Sequence, residues 1–136
     1  MQDKERDASR CRVLRQIMRD IDIQLKKFID EERQARNQLN KLRSELSAVI
    51  DEIRELDILF ATAAVASSGR SLVSTGIGLV GSDISGKRSL LKRKREILKS
   101  DIKYIISEIK RLRDNINRFI RSRDKSGAEM NELNCA

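Results

Sequence analysis

Three glycines, Gly76, Gly78 and Gly81, stand in the spacing G-x-G-x-x-G. At a strand-to-helix turn that spacing lets backbone N–H groups meet a pyrophosphate. Asp101 lies 20 residues beyond Gly81, where such a site would hold a ribose. Yet no strand–helix–strand pattern surrounds the glycines, and Asp101 falls inside a heptad-patterned helix, so dinucleotide binding is not expected. No other chemistry assembles. The chain has no histidine, and its acids are scattered over helix faces, so neither a nucleophile triad nor a paired-carboxylate pocket can be drawn. Cys11 and Cys135 stand near opposite ends and belong to no CxxC or Cys/His pattern. An enzyme is not expected, and no cofactor or metal is called for. The N-terminal residues MQDKERDASRCR carry no apolar leader and no N-x-S/T acceptor occurs, so a reducing, cytoplasmic setting is expected.

The chemistry that remains is charge beside apolarity. Lysine and arginine number 29 against 21 acids in 136 residues, a net charge of +8, which attracts anionic surfaces. The excess is uneven: 13 basic and 13 acidic residues precede Ala61, whereas 15 basic and 8 acidic follow Ser82. Within the second half, KRSLLKRKREILK from Lys87 to Lys99 holds seven cations and one acid. Next to an apolar segment this reads as a flank for anionic headgroups, each cation contributing roughly 1 kcal/mol near such a surface. The same run also suits nucleic-acid phosphates or nuclear targeting. With no aromatic interleaved before Tyr104, stacking on single strands is not expected.

The apolar segment is ILFATAAVASSGRSLVSTGIGLVG, Ile58 to Gly81, with Arg70 as its single charge. Its length suffices to cross a hydrocarbon core. Six Ser or Thr residues, four Gly and Arg70 leave its hydrophobic balance marginal, since a central Arg costs on the order of 3 kcal/mol. Small side chains also allow a tight soluble bend, and both readings stay open.

The elements that must position these groups are helical. From Leu14 the apolar positions step by fours and threes through Met18, Ile21, Leu25, Phe28, Ala35, Leu39, Leu42, Leu46, Val49, Ile53 and Leu56 to Phe60, with Glu32 alone out of pattern. A second series runs through Leu91, Leu98, Ile102, Ile105, Ile109, Leu112, Ile116 and Phe119, with Arg95 at one core position. Both series are coiled-coil seams. They share one phase, which permits a continuous rod, but the positions between them hold Ala63, Ser67, Arg70, Ser74, Gly81 and Arg88, a poor seam. The pattern therefore favours two antiparallel helices, turning near Ser67 to Arg70 or Gly76 to Gly86. The second helix is expected to end near Asp124, before Ser126 and Gly127.

The stretch from Glu52 to Gly81, DILFATAAVASSGRSLVSTGIGLVG at its heart, resembles the apolipoprotein L family. In that family charged helices precede a segment rich in Val, Ala, Ser and Gly, matched here by Val65, Ala66, Ser67, Ser68, Ser74, Gly78, Leu79 and Val80. The resemblance implies a lipid-associated protein able to insert into membranes and conduct ions. Where the family continues into a turn and a second apolar helix, Ser82 to Lys87 leads here into a basic helix.

These features predict an all-α fold, a long antiparallel helical hairpin with coiled-coil character that assembles into a bundle. Residues 1–60 form the first amphipathic helix, 61–86 a small-residue connector or membrane-interacting segment, 87–124 the basic helix and 125–136 a flexible tail. The expected function is a membrane-associated or lipid-binding interaction module. Leu59, Phe60, Val65, Leu72, Val73, Ile77, Leu79 and Val80 would touch membrane. Lys87, Arg88, Lys92, Arg93, Lys94, Arg95 and Lys99 would bind anionic lipid. Leu39, Leu42, Leu46, Val49, Ile53, Ile102, Ile105, Ile109 and Leu112 would form an oligomer interface between copies or with partner helices. The alternative is a soluble coiled-coil scaffold that oligomerises without lipid, and nucleic acid is the less favoured partner.

Overall fold

The computed structural model describes residues 2–67 and 74–135, with side chains for 4–62 and 84–135. Its architecture is an all-α helical hairpin of two helices, α1 (Gln2–Ser67) and α2 (Ser74–Glu132). No glycine or proline interrupts α1 over its 66 residues, so nothing in its interior breaks the i→i−4 ladder. Its charged face is laced by short-range pairs, among them Asp30 with Arg33 and Glu32 with Arg36. Such i,i+3 and i,i+4 pairs each add a few tenths of a kcal/mol.

The chain packs as two compact units. Unit 1 combines residues 1–37 with 106–136, and its buried side chains include Cys11, Leu14, Ile21, Leu25, Leu112 and Ile116. Leu14 is the most enclosed, at 1% exposure. Ile21, Leu25 and Ile116 cluster, with Ile17, Phe28 and Phe119 packed against them. The rings of Phe28 and Phe119 stack with centroids 5.6 Å apart. Arg123 Nε meets Asp22 Oδ1 across the two helices at 3.2 Å. Unit 2 spans residues 38–105, where Val49, Ile53 and Leu98 form a core flanked by Leu42, Leu46 and Leu91. Ile84, in phase with the second seam, is also buried there.

The heptad reading places the buried face of α1 from Leu14 to Leu56, whereas Phe60, the last position of that series, is 44% exposed, and the one charged residue in the series has a local account. Glu32 sits at a seam position with its side chain only 16% exposed, and Arg36 Nη2 pairs with its carboxylate at 2.8 Å. The element limits differ from expectation. α2 starts at Ser74, so Gly76 to Gly86 is helix rather than a turn, and the alternative turn at Ser67 to Arg70 falls largely outside the described residues. At the other end α2 runs through Ser126 and Gly127 to Glu132 instead of stopping near Asp124. The reason is visible in unit 1: Ser126, Met130 and Leu133 are partly covered and continue the seam beyond Phe119.

Candidate membrane-facing surface and the terminal disulfide

The C-terminal end of α2 is closed by backbone geometry. Asn134 has a φ of 53°, the left-handed conformation that Asn tolerates better than most residues. Its N–H donates to the Asn131 carbonyl at 3.2 Å, and the Cys135 N–H donates to the Met130 carbonyl at 2.9 Å, the paired bonds of a Schellman cap. This turn carries Cys135 back onto α1, where its sulfur is bonded to that of Cys11 with Cα atoms 5.7 Å apart. Nearby, Arg10 grips Glu129 with two bonds, Nε to Oε1 at 2.7 Å and Nη2 to Oε2 at 3.0 Å. The hydrogen bond from Arg10 holds the Glu129 carboxyl below the usual range, while Glu129 raises the guanidinium. Because the carboxyl is depressed in the folded chain, the pair's contribution is present above the ordinary carboxylate pKa. It is lost as pH falls through the lowered value.

The expected flexible tail of 125–136 is thus a capped helix end tied to α1, and the cysteines, idle in the sequence reading, are partners. Cys11 lies one heptad step ahead of Met18 on the α1 seam, a signal that was available. Pairing itself depends on register, which spacing alone does not carry.

In unit 2 the basic run divides. Arg88 and Arg95 occupy seam positions: Arg88 pairs with Asp57 of α1, and Arg95 Nε lies 3.4 Å from Glu96 Oε1. Each keeps a buried Nε that faces a carboxylate without hydrogen-bond geometry. Their side chains are partly covered, at 38% and 31% exposure. Lys92 is half-buried, whereas Lys87, Arg93, Lys94 and Lys99 are exposed, and Lys99 Nζ approaches Glu96 at 3.8 Å.

Of the expected membrane contacts, Leu59 and Phe60 are exposed, as is their neighbour Ile58. Val65, Ile77, Leu79 and Val80 lie on the helices with side chains outside the described set, and Leu72 and Val73 lie outside the described residues. Leu59 also lines a shallow groove of about 450 Å³ with Leu56, Leu90 and Leu91, edged by Glu52, Glu55 and Lys87. Among the described residues no helix is long and apolar enough to cross a membrane, and no His, Cys, Asp or Glu group could hold a metal ion.

The residues assigned to an oligomer interface are taken up by the hairpin. Leu39, Val49, Ile53, Ile105 and Leu112 are buried within one chain, and Leu42, Leu46, Ile102 and Ile109 are half-buried. An assembly that leaves the hairpin intact would have to use other faces. Sequence reasoning missed Leu90, Ile97 and Tyr104, all exposed on α2. Their seven-residue spacing was the signal.

With this geometry in hand, no protein-family model matches the chain, and no curated protein or solved structure matches it either. The class the fold defines is an all-α helical hairpin.

Proposed function

We propose that this protein is a membrane-associated interaction module that docks on anionic lipid through unit 2. The observation that carries the reading is exposed Leu59, flanked in sequence by exposed Ile58 and Phe60, lining the apolar groove that Lys87 edges. The resemblance to apolipoprotein L supports the same reading, although docking needs no membrane-crossing helix. Apolar residues beside a cationic helix bind anionic bilayers by joining burial to headgroup attraction. No catalytic activity is proposed: the chain has no histidine, and its acids stand on helix faces.

A membrane-associated, cytoplasmic placement meets one condition. Cytosolic reductants keep thiols unpaired, so the bonded Cys11–Cys135 pair and a reducing compartment are alternatives, separated by thiol labelling of protein taken from its native source.

The test of function is co-sedimentation with phosphatidylcholine vesicles, with and without phosphatidylserine. Binding should require the anionic lipid, weaken with added salt, and fall strongly when Lys87, Arg93, Lys94 and Lys99 become Gln. Equal binding by that variant would remove the cations from the mechanism. Absence of binding, together with concentration-dependent self-association, would favour the scaffold reading, and tighter binding to DNA than to vesicles the nucleic-acid one.

A further inference from the structure

α2 carries a second apolar row that its seam does not use. Leu90, Ile97 and Tyr104 are 66%, 60% and 65% exposed, and they recur every seven residues, which aligns them on one side of a helix. Each is followed by a seam residue, Leu91, Leu98 or Ile105, turned about 100° around the axis. The inner row faces α1, as the packing of Leu91 and Leu98 on Val49 and Ile53 requires. The outer row is left to solvent.

Three or four positions from the members of this row stand Lys87, Arg93, Lys94, Asp101 and Glu108, which helix geometry places along its edges. Lone exposed apolar residues are ordinary on protein surfaces, but an aligned row with three cations gathered around Leu90 and Ile97, and its two acids, Asp101 and Glu108, toward the Tyr104 end, is an amphipathic face with a cationic stretch. It fits an anionic bilayer: the aliphatic chains enter the headgroup boundary, the cations meet phosphates, and the tyrosine ring keeps its hydroxyl at the wet level.

We propose that the row Leu90, Ile97 and Tyr104, edged by Lys87, Arg93 and Lys94, is the surface on which the protein lies on an anionic membrane, with this part of α2 parallel to the bilayer plane. This rests on the membrane-docking reading and adds to it the face that makes contact. Insertion is shallow, within the outer ~5–10 Å of the bilayer.

The chain has no tryptophan, so Tyr104→Trp provides a single reporter. On phosphatidylserine-containing vesicles its emission should shift to the blue and resist acrylamide quenching. A Leu90→Ser/Ile97→Ser variant, altered only at exposed positions, should keep the helical circular dichroism and lose about tenfold or more in vesicle affinity. If vesicles bind the Tyr104→Trp protein while its indole stays fully quenched, and the double variant binds as wild type, this face is wrong and the docking reading stands. If no vesicle binds, the docking reading fails and this proposal with it. A blue shift without lipid that grows with protein concentration assigns the row to a second copy and overturns the lipid occupant.

Discussion

Gly86 lies inside α2, and a Cβ added there would meet open space. Nothing in the fold needs its bare backbone, since no described glycine has a positive φ. Gly86→Ala should therefore raise stability by roughly 0.5–1 kcal/mol, because alanine loses less backbone entropy in a helix. Urea unfolding followed by circular dichroism checks this, and an unchanged or lowered midpoint would mean that the helix around residue 86 is not formed in the native chain. At the same scale, the two arginines at seam positions show why a charge run cannot be read from composition. Arg88 and Arg95 belong to the same KRSLLKRKREILK segment as Arg93, yet their seam positions leave them partly covered while Arg93 is exposed, and Arg88 reaches Asp57 of α1.

Among the elements, the end of α2 departs most from the expected pattern, and its cap explains how. The polar sequence SGAEMNELNCA has modest helix propensity and one glycine, which by itself argues for fraying. Packing of the continued seam and the left-handed turn at Asn134 hold it instead. Asn134→Gly should leave stability nearly unchanged. Asn134→Ala should cost about 1–2 kcal/mol, the penalty for placing a Cβ in the left-handed region. Denaturation of both oxidised variants beside wild type is the measurement. Equal loss in the two would show that the Asn side chain, not the backbone conformation, matters.

For the whole molecule the consequence lies in connectivity. Unit 1 is assembled from both ends of the chain, whereas unit 2 is one continuous stretch. The Cys11–Cys135 bond spans a sequence separation of 124, so it removes a large share of the unfolded chain's freedom, worth roughly 5 kcal/mol on the loop-entropy account. Reduction should lower the unfolding midpoint accordingly. It should also speed amide exchange in residues 1–37 and 106–136 more than in 38–105, because local stability need not be uniform. Uniform loss across both units would mean that they unfold as one.

By itself the sequence determined that the chain is helical and which side of each helix is buried. A heptad repeat states its period locally, so Leu14, Ile21, Leu25 and Val49 could be placed in the core without knowing what covers them. It also located the basic excess after Ser82. Only the tertiary structure decided that Cys11 meets Cys135, that Arg88 faces Asp57, and that Leu90, Ile97 and Tyr104 are left outside. Those facts depend on the register of α1 against α2. That register is fixed by the fit of side chains such as Val49 and Ile53 around Leu98, and of Ile21 and Leu25 around Ile116. Periodicity is a property of one helix, whereas register belongs to two.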